Sequence, residues 1–376
     1  MSSNKANRRS TAVGCFAMYY ADSTIIGRET FNTAIGYESL KGSTIPSDNT
    51  GVNNTAIGDQ ALYSNTSGVY NTSVGSGSMN TNNTGSYNAV FGALALNSSL
   101  NSTGNTVVGY GALLYNTLGD RNTTTGCESM ENNNSGKHNT AMGWRSLLSN
   151  SNGDYNVSIG SFTMHTNTSG SNNTVVGTGS DVATGNLTNA TALGSGATAP
   201  LSNSIMLGNS AVTVVLSSGL NLITSDARFK TNIDTSGIRG INFIMKLRPV
   251  QYQLKAKELD VFLRRNMSDE AKKSIELTNY SQAESLIRTG FIAQEVETAA
   301  KQTGFNFDGV YTPKDENDYY AISYSSMVVP LVKGMQEQQA TIEKQQKELE
   351  AQKALFEKQQ QLILELTKRI EIIEHK

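Results

Sequence analysis

The chain is poor in the residues that usually staple a protein or do its chemistry. Of 376 residues, two are cysteine, one is tryptophan, three are histidine and five are proline. Cys15 and Cys127 lie far apart and offer no disulfide framework, so both are read as free thiols. Three histidines, one of them His375 near the end, form no ligand cluster, so neither a metal nor a cofactor is expected. No run of 18 apolar residues exists, which excludes a transmembrane helix. The segment Met1–Ser10 has no apolar stretch of the kind a secretory signal needs, so export by that route is not expected. Charged residues make up only 16% of the chain, and the formal net charge is −2. That balance favours neither nucleic acid nor membrane insertion. Charge is almost absent from residues 51–210, which hold nine charged side chains: Asp59, Asp120, Arg121, Glu128, Glu131, Lys137, Arg145, Asp154 and Asp181. After Ser225 the chain turns rich in Lys, Glu and Gln, and that shift marks a domain boundary.

What fills the charge-poor stretch is a repeat. Glycine recurs every 17 residues at Gly58, Gly75, Gly92, Gly109, Gly126, Gly143, Gly160, Gly177 and Gly194. Asn stands four residues before it from Asn54 to Asn173, and Leu or Met four residues after it from Leu62 to Met164. The phase extends upstream, after a longer step, to Asn32, Gly36 and Leu40. A fixed period this short makes each repeat one coil of a solenoid. Asn, Thr, Ser and Gly disfavour helix, so short strands bounded by turns are predicted, with Thr-Ala-Ile and Ala-Leu-Tyr segments as strands. The apolar residue before each glycine (Ile57, Val74, Phe91, Val108, Met142, Ile159, Val176, Leu193) is expected to stack inward as one ladder. The Leu/Met positions form a second ladder. Thr125 interrupts the first and Asp181 the second. Asn and Gly are expected at the positive-φ turns, and Gly119, placed at one of them, is expected to tolerate Asp. Asn side chains are also expected to hydrogen-bond along the stack. Two large apolar side chains per coil make a thin core, so three rolls packed around an axis are expected.

The Asn-Thr-Ala-Ile-Gly units resemble the head repeats of trimeric autotransporter adhesins, over roughly residues 31–210. The same units occur in bacterial and phage tail-fibre proteins. The resemblance implies a left-handed parallel β-roll, mainly β, assembled as a homotrimer.

The C-terminal third reads differently. It opens with Ile223-Thr-Ser225-Asp226-Ala-Arg228-Phe-Lys230 and continues through Leu247-Arg-Pro249-Val-Gln-Tyr252 and Gly290-Phe-Ile-Ala-Gln294-Glu295-Val296. Tyr319-Tyr-Ala-Ile-Ser-Tyr324 then leads into a long helical pattern. These four ordered motifs together resemble the C-terminal intramolecular chaperone of endosialidase-type tail spikes and fibres. The resemblance implies an α-rich domain that drives trimerisation and then releases itself with a serine and a lysine. Here Ser225 would be the nucleophile, Lys230 the base and Thr224–Ser225 the bond cut, once per chain. Asp226 and Arg228 support the site, Arg228 either as a cation beside Lys230 or as the partner of Asp226. A lysine serves as base only when neutral, which burial or nearby cations favour. Ser268–Leu277 reads as a capped helix in an arm of this domain.

From Met335 one heptad position reads Met335, Ile342, Leu349, Phe356, Ile363 and Ile370. The position three later reads Gln338, Gln345, Gln352, Gln359, Leu366 and Ile373, which predicts a coiled coil with Gln layers. The expected organisation is an attachment or cap segment over 1–30, the roll over 31–210 and a neck over 211–224. A chaperone over 225–334 and a trimeric coiled coil over 335–376 follow.

Within the roll, Tyr70, Tyr87, Arg121, His138 and Tyr155 fall twelve residues after a register glycine, and Tyr37, Tyr110 and Trp144 one residue after it. Tyr70, Tyr87, Tyr110, Trp144 and Tyr155 are the candidate ligand residues; an ordinary stacking ladder that closes each coil is the alternative. No pair of carboxylates recurs at one offset, which counts against a glycosidase. The expected function is a trimeric tail-fibre or adhesin protein that binds a glycan or protein receptor on a host surface. It would attach by its N-terminus to a phage or phage-like baseplate, on a virion tail or an extracellular injection particle, after synthesis in the cytoplasm. The alternatives are a tail-spike depolymerase and a cell-surface adhesin that keeps its chaperone.

Overall fold

The computed structural model describes residues 7–21, 28–216, 225–267, 269–316 and 318–374. The chain divides into two units, Met1–Ser217 with Leu254–Leu286, and Ser218–Gln253 with Ile287–Lys376.

The first unit is a β-solenoid. Strands of three or four residues pair in parallel, in chain order, into a twelve-stranded sheet running from Thr11–Val13 to Ser204–Leu207. Between Thr55 and Thr191 every step along the sheet is 17 residues: Thr55↔Thr72, Thr72↔Ala89, Ala89↔Thr106 and onward to Thr174↔Thr191. That gives nine strands in one register. The steps before it are longer (Thr11↔Thr33, Thr33↔Thr55), and the last is shorter (Thr191↔Ile205).

A three-residue strand is too short for more than one inward side chain. Successive side chains alternate between faces, so a Thr-Ala-Ile strand buries its middle residue and turns its ends outward. Ala56, Ser73, Val90, Val107, Thr124, Ala141, Ser158, Val175 and Ala192 are accordingly buried. This corrects the expected inner ladder. Ile57, Phe91, Val108, Met142, Ile159 and Leu193 do stack, but on the outer face, where each is 36–45% exposed. The middle residue is small because Leu62, Met79, Leu96, Leu113, Met130, Leu147 and Met164 fill the interior; all seven are fully buried.

The predicted second strand is a turn. Leu62, Met79, Leu96, Leu113, Met130, Leu147 and Met164 all have φ near +50°, which no strand residue adopts. Coil-to-coil hydrogen bonds persist through this turn, as in Leu62 N→Ser78 O at 3.0 Å. Full burial of a large side chain offsets the left-handed backbone at each rung, which costs roughly 1–2 kcal/mol. The register glycines are needed for a different reason. Their φ lies between 115° and 146°, and from Gly58 to Gly177 each stacks directly on the next, so a Cβ there would overlap the neighbouring coil's carbonyl.

Most buried polar groups are paired along the stack. Asn71 Nδ2 donates to Asn54 Oδ1 (3.2 Å) and Asn88 Nδ2 to Asn71 Oδ1 (3.0 Å), while Asn88 N donates to the same Oδ1. A second ladder joins Asn133, Asn150 and Asn167 (2.8 and 2.9 Å). Buried hydroxyls pair across the coil, as in Ser73–Ser78 (2.6 Å) and Thr124–Ser129 (2.6 Å). The Asn side chains thus satisfy backbone groups that a thin coil cannot otherwise reach.

The Leu/Met ladder ends at Asp181, where the backbone turns from left-handed to extended and Asp181–Val182 pairs with Thr198–Ala199. Residues 254–286, which include the helix Asp269–Leu277 read from sequence as part of a chaperone arm, cluster with this end of the roll. Helix Ala256–Leu263 presents Asp260 and Arg264, both almost fully buried. The Arg264 guanidinium donates to the carbonyl of Gly196, a position where any side chain would overlap it. Asp260 accepts from Tyr280 Oη (2.6 Å) and lies 3.8 Å from Arg264 Nη2. Burial and that carboxylate push the Tyr280 hydroxyl up to about 12. Asp181 accepts from Thr166 N, Thr166 Oγ1 and Val182 N. Burial nevertheless pushes its carboxyl up to about 7, against those hydrogen bonds and the Arg264 charge.

The second unit is small and mostly helical. Its core joins Phe243, Val296, Ala299, Ala300 and Met327, with Phe291, Phe305 and Phe307 against them. Val250–Tyr252 pairs antiparallel with Arg288–Gly290, and Val310–Tyr311 with Ala321–Ile322. The helix Val328–Glu374 then runs for 47 residues. Its heptad residues Met335, Ile342, Leu349, Phe356, Ile363 and Ile370 are all exposed.

Candidate functional site

The three motifs read downstream of Ser225 build the frame of the second unit. Leu247–Tyr252 supplies one strand, and Gly290–Val296 ends its partner and starts the helix Ala293–Thr303. Tyr319–Tyr324 closes the second hairpin. Gly290 is required because a Cβ there would overlap the Tyr324 hydroxyl, which accepts from Phe291 N at 3.0 Å. Arg248 Nε donates to Glu295 Oε2 at 3.1 Å and ties the first motif to the second.

Ser225 opens this unit. Lys230 Nζ donates to Ser225 Oγ at 2.7 Å, within the reach that a nucleophile and its base need. The intervening chain makes that reach possible. Asp226 caps the short turn Ala227–Phe229 by accepting from Arg228 N (2.9 Å), so the backbone folds back and Lys230 returns toward Ser225. Of the two roles open to Arg228, the geometry gives it the pairing with Asp226, at 2.6 Å. That hydrogen bond, with the one from Arg228 N, holds the Asp226 carboxyl below the usual carboxylate range. Ser225 and Lys230 are both exposed in the protomer. Thr224, the other side of the expected scissile bond, lies outside the described residues.

Residues 225–305 match the family described as chaperone of endosialidase. The match begins at Ser225, takes in the Ser225–Lys230 pair and ends just past the helix Ala293–Thr303. No curated protein matches the chain. A chaperone of this family is therefore supported for the C-terminal region, and the β-solenoid before it fits a protein of the tail-fibre or tail-spike type.

The five aromatic ligand candidates fall on two separate ladders of the roll. Tyr70 and Tyr87 stack with centroids 5.4 Å apart and planes 9° from parallel. Tyr155 stacks on His138 in the same way (4.8 Å, 4°), and His138 Nε2 lies 3.5 Å from Arg121 Nη1. Tyr110 and Trp144 stand on the other ladder with Cys127 between them, so they do not touch as neighbours. Trp144 packs edge-on against Phe162 and lies under Arg145. The buried charges Asp260 and Arg264 were not found from sequence. Their only signal there is a spacing of four on one helix face, which surface ion pairs share.

Proposed function

We propose that this chain is a homotrimeric fibre or adhesin protein, and that residues 225–334 assemble it and then cut themselves free at Thr224–Ser225. The observation that carries the reading is the 2.7 Å contact from Lys230 Nζ to Ser225 Oγ, at the first residue of the matched chaperone segment. In the reaction Ser225 Oγ attacks the Thr224 carbonyl and its proton passes to Lys230. The Thr224–Ser225 C–N bond then breaks, Lys230 returns the proton to the leaving Ser225 nitrogen, and Thr224 is left as an ester on Ser225 Oγ. The acyl link to Thr224 then opens to water, and Ser225 becomes a new N-terminus. In the protomer both side chains are exposed, so assembly must supply the water exclusion that turns a lysine into a base. Cutting after assembly follows from that requirement.

Two apolar surfaces support three chains. The outward stripe Ile57–Leu193 runs the length of the roll, and the heptad seam Met335–Ile370 runs along the tail helix. Monomers rarely expose long apolar stripes, and this one is broken only at Thr125 between Ile57 and Leu193; a lone helix with a heptad seam is the unit of a coiled coil. The left-handed roll, the trimeric coiled coil and the attachment of residues 1–30 to a baseplate belong to the same reading. So does placement on a virion tail or injection particle, and binding of a glycan or protein receptor by the roll.

The test is intact-mass spectrometry with light scattering on the purified full chain. The expected result is a trimer of the 40.4 kDa subunit that splits into a fragment ending at Thr224 and one beginning at Ser225. Ser225→Ala and Lys230→Ala should stay intact and trimeric. A wild-type trimer that remains full length after long incubation overturns the self-cleavage; a stable monomer overturns the assembly. Carbohydrate cleavage by the 1–224 fragment would favour a depolymerase instead.

A further inference from the structure

Five residues before each register glycine the roll carries a ladder in which every rung is left-handed. Arg9, Phe31, Asn53, Tyr70, Tyr87, Gly104, Arg121, His138, Tyr155, Asn172, Asn189 and Asn203 all have φ between 52° and 74°. Asn and Gly adopt this conformation at least cost; Tyr, Arg and His do so at roughly 1–2 kcal/mol each. The chain uses the undemanding residues at 53, 104, 172, 189 and 203. From Tyr70 to Tyr155 it otherwise uses Tyr, Tyr, Arg, His and Tyr. The Leu/Met rungs offset the same strain by full burial. These do not, since Tyr70, Tyr87 and Tyr155 are 54%, 62% and 57% exposed. Strain that burial does not offset is concentrated at binding sites.

The chemistry of this edge is specific. Gly104 interrupts the stack and leaves a gap one side chain wide. A Cβ at 104 would meet only Arg121 Cγ (3.4 Å) and Arg121 Cα (4.0 Å), and nothing from the Tyr87 side. One wall of the gap is therefore the open face of Tyr87, and the other is Arg121. The Arg121 guanidinium forms no ion pair among the described residues, and its neighbour is His138. The flanking charges are already engaged: Lys137 Nζ holds Asp120 Oδ2 at 3.0 Å, and Asp154 Oδ1 accepts from Lys137 N at 2.7 Å. A ring with an apolar face fits the tyrosine, and a carboxylate fits the free guanidinium, which binds such groups in bidentate fashion. One guanidinium without an ion pair, with the carboxylates of Asp120 and Asp154 beside the same edge, fits a single carboxylate better than the dense row of phosphates in nucleic acid. From Tyr87 to Tyr155 the edge spans four coils, about 19 Å at about 4.8 Å per parallel strand.

We propose that the edge formed by Tyr87, Gly104, Arg121, His138 and Tyr155 binds an acidic oligosaccharide, with one sugar ring in the gap at Gly104 against Tyr87 and its carboxylate on Arg121. This rests on the reading of the roll as the receptor-binding part of a fibre.

The test uses the full chain and three probes that carry sugar carboxylates: polygalacturonate, alginate and hyaluronan. The controls are methyl-esterified polygalacturonate and oligo-dT. Wild type should bind at least one acidic polymer. Tyr87→Asn, Arg121→Asn and Gly104→Asn should each weaken that binding tenfold or more. Because Asn already occupies this rung at 53, 172, 189 and 203, Tm should hold or rise in all three. A fall in Tm for Tyr87→Asn and Arg121→Asn with binding unchanged would make the ladder a structural stack and overturn the site. Equal binding of the methyl ester or of oligo-dT, or no binding of any acidic polymer, would overturn it too. Trimer mass and self-cleavage are read on the same samples. Loss of the site in an intact, self-cleaving trimer therefore rejects this edge and leaves the fibre reading standing.

Discussion

Gly109 and Gly111 are two residues apart in one coil, yet Ala at one should break the roll while Ala at the other should pass almost unnoticed. Gly109 has φ +138°, and an added Cβ would lie 2.6 Å from the carbonyl carbon of Gly126 and closer still to its oxygen. Ordinary contact needs about 3.4 Å or more, so the coils must part by roughly 1 Å there. The bonds that stretch are Gly126 N→Val108 O (2.8 Å) and Glu128 N→Tyr110 O (2.9 Å). Two weakened backbone hydrogen bonds cost about 1–3 kcal/mol. The backbone conformation itself costs an L residue about 1–3 kcal/mol more. Gly109→Ala should therefore destabilise by about 2–6 kcal/mol per chain. Gly111 has φ +60°, and the nearest atom to its Cβ is Glu128 Cγ at 3.9 Å. Only the left-handed cost of about 1–2 kcal/mol applies. The loss of glycine's freedom in the unfolded chain offsets about 0.4–1 kcal/mol of it. Gly111→Ala should cost about 1 kcal/mol, and Gly111→Asn close to nothing.

Calorimetry on the purified proteins separates the two. A solenoid holds together by nearest-neighbour contacts, so Gly109→Ala should split the unfolding endotherm into two lower transitions, while Gly111→Ala should shift a single one slightly. Equal shifts from both variants, or a Gly109→Ala protein that melts like wild type, would mean that register glycines do not stack directly on one another.

Further outcomes follow from the core and the roll's end. Leu113→Asp puts a carboxylate on a fully buried rung; the penalty of several kcal/mol should abolish soluble yield, and wild-type yield would place that side chain outside. The folded-state pKa of Asp181, about 7, lies above the roughly 3.9 of an unfolded carboxylate, so the fold holds that proton more tightly. The stabilisation is complete below about pH 4, and about 4 kcal/mol of it is lost as pH rises through 7. Relative to Asp181→Asn, wild-type Tm should fall between pH 5 and pH 8, and parallel pH profiles would reject this. Arg264→Met should lower the Tm of the roll's last coils by removing the cation that faces Asp181 and Asp260; an unchanged melting profile would show that the buried charges are independent.

The coil period was legible because the spacing of Asn, Gly and Leu/Met is held without insertion, and the parallel register of the sheet reproduces it residue for residue. Facing was not legible. Ile57 is larger and more apolar than Ala56, so composition points Ile57 inward, but a strand of three residues buries only its centre. Turn chemistry failed for a related reason. Propensity assigns φ > 0 to Asn and Gly; the register glycines do adopt it, but so do Leu113 and Tyr87, while the Asn54–Asn173 positions do not. Gly119 illustrates the cost of that rule. It was expected at a tolerant positive-φ turn, but it has no positive φ, and its Cβ would meet Asn133 Nδ2 and Gly136 O at 2.5 Å. Gly119→Asp should therefore be severe.

At the C-terminal site the order of motifs carried the reading, and the local geometry refined it. Ser225 and Lys230 are five residues apart, a spacing that by itself implies no contact. The contact exists because Asp226 caps the turn between them and takes Arg228 as its partner. That choice has a consequence for the chemistry. Arg228 is paired with Asp226 and supplies no net positive charge beside Lys230. Ser225 and Lys230 are both exposed in the single chain. Under the proposed trimer, packing that covered the apolar stripe and the heptad seam would also dry this pair, and the proposed self-cleavage would need no separate trigger.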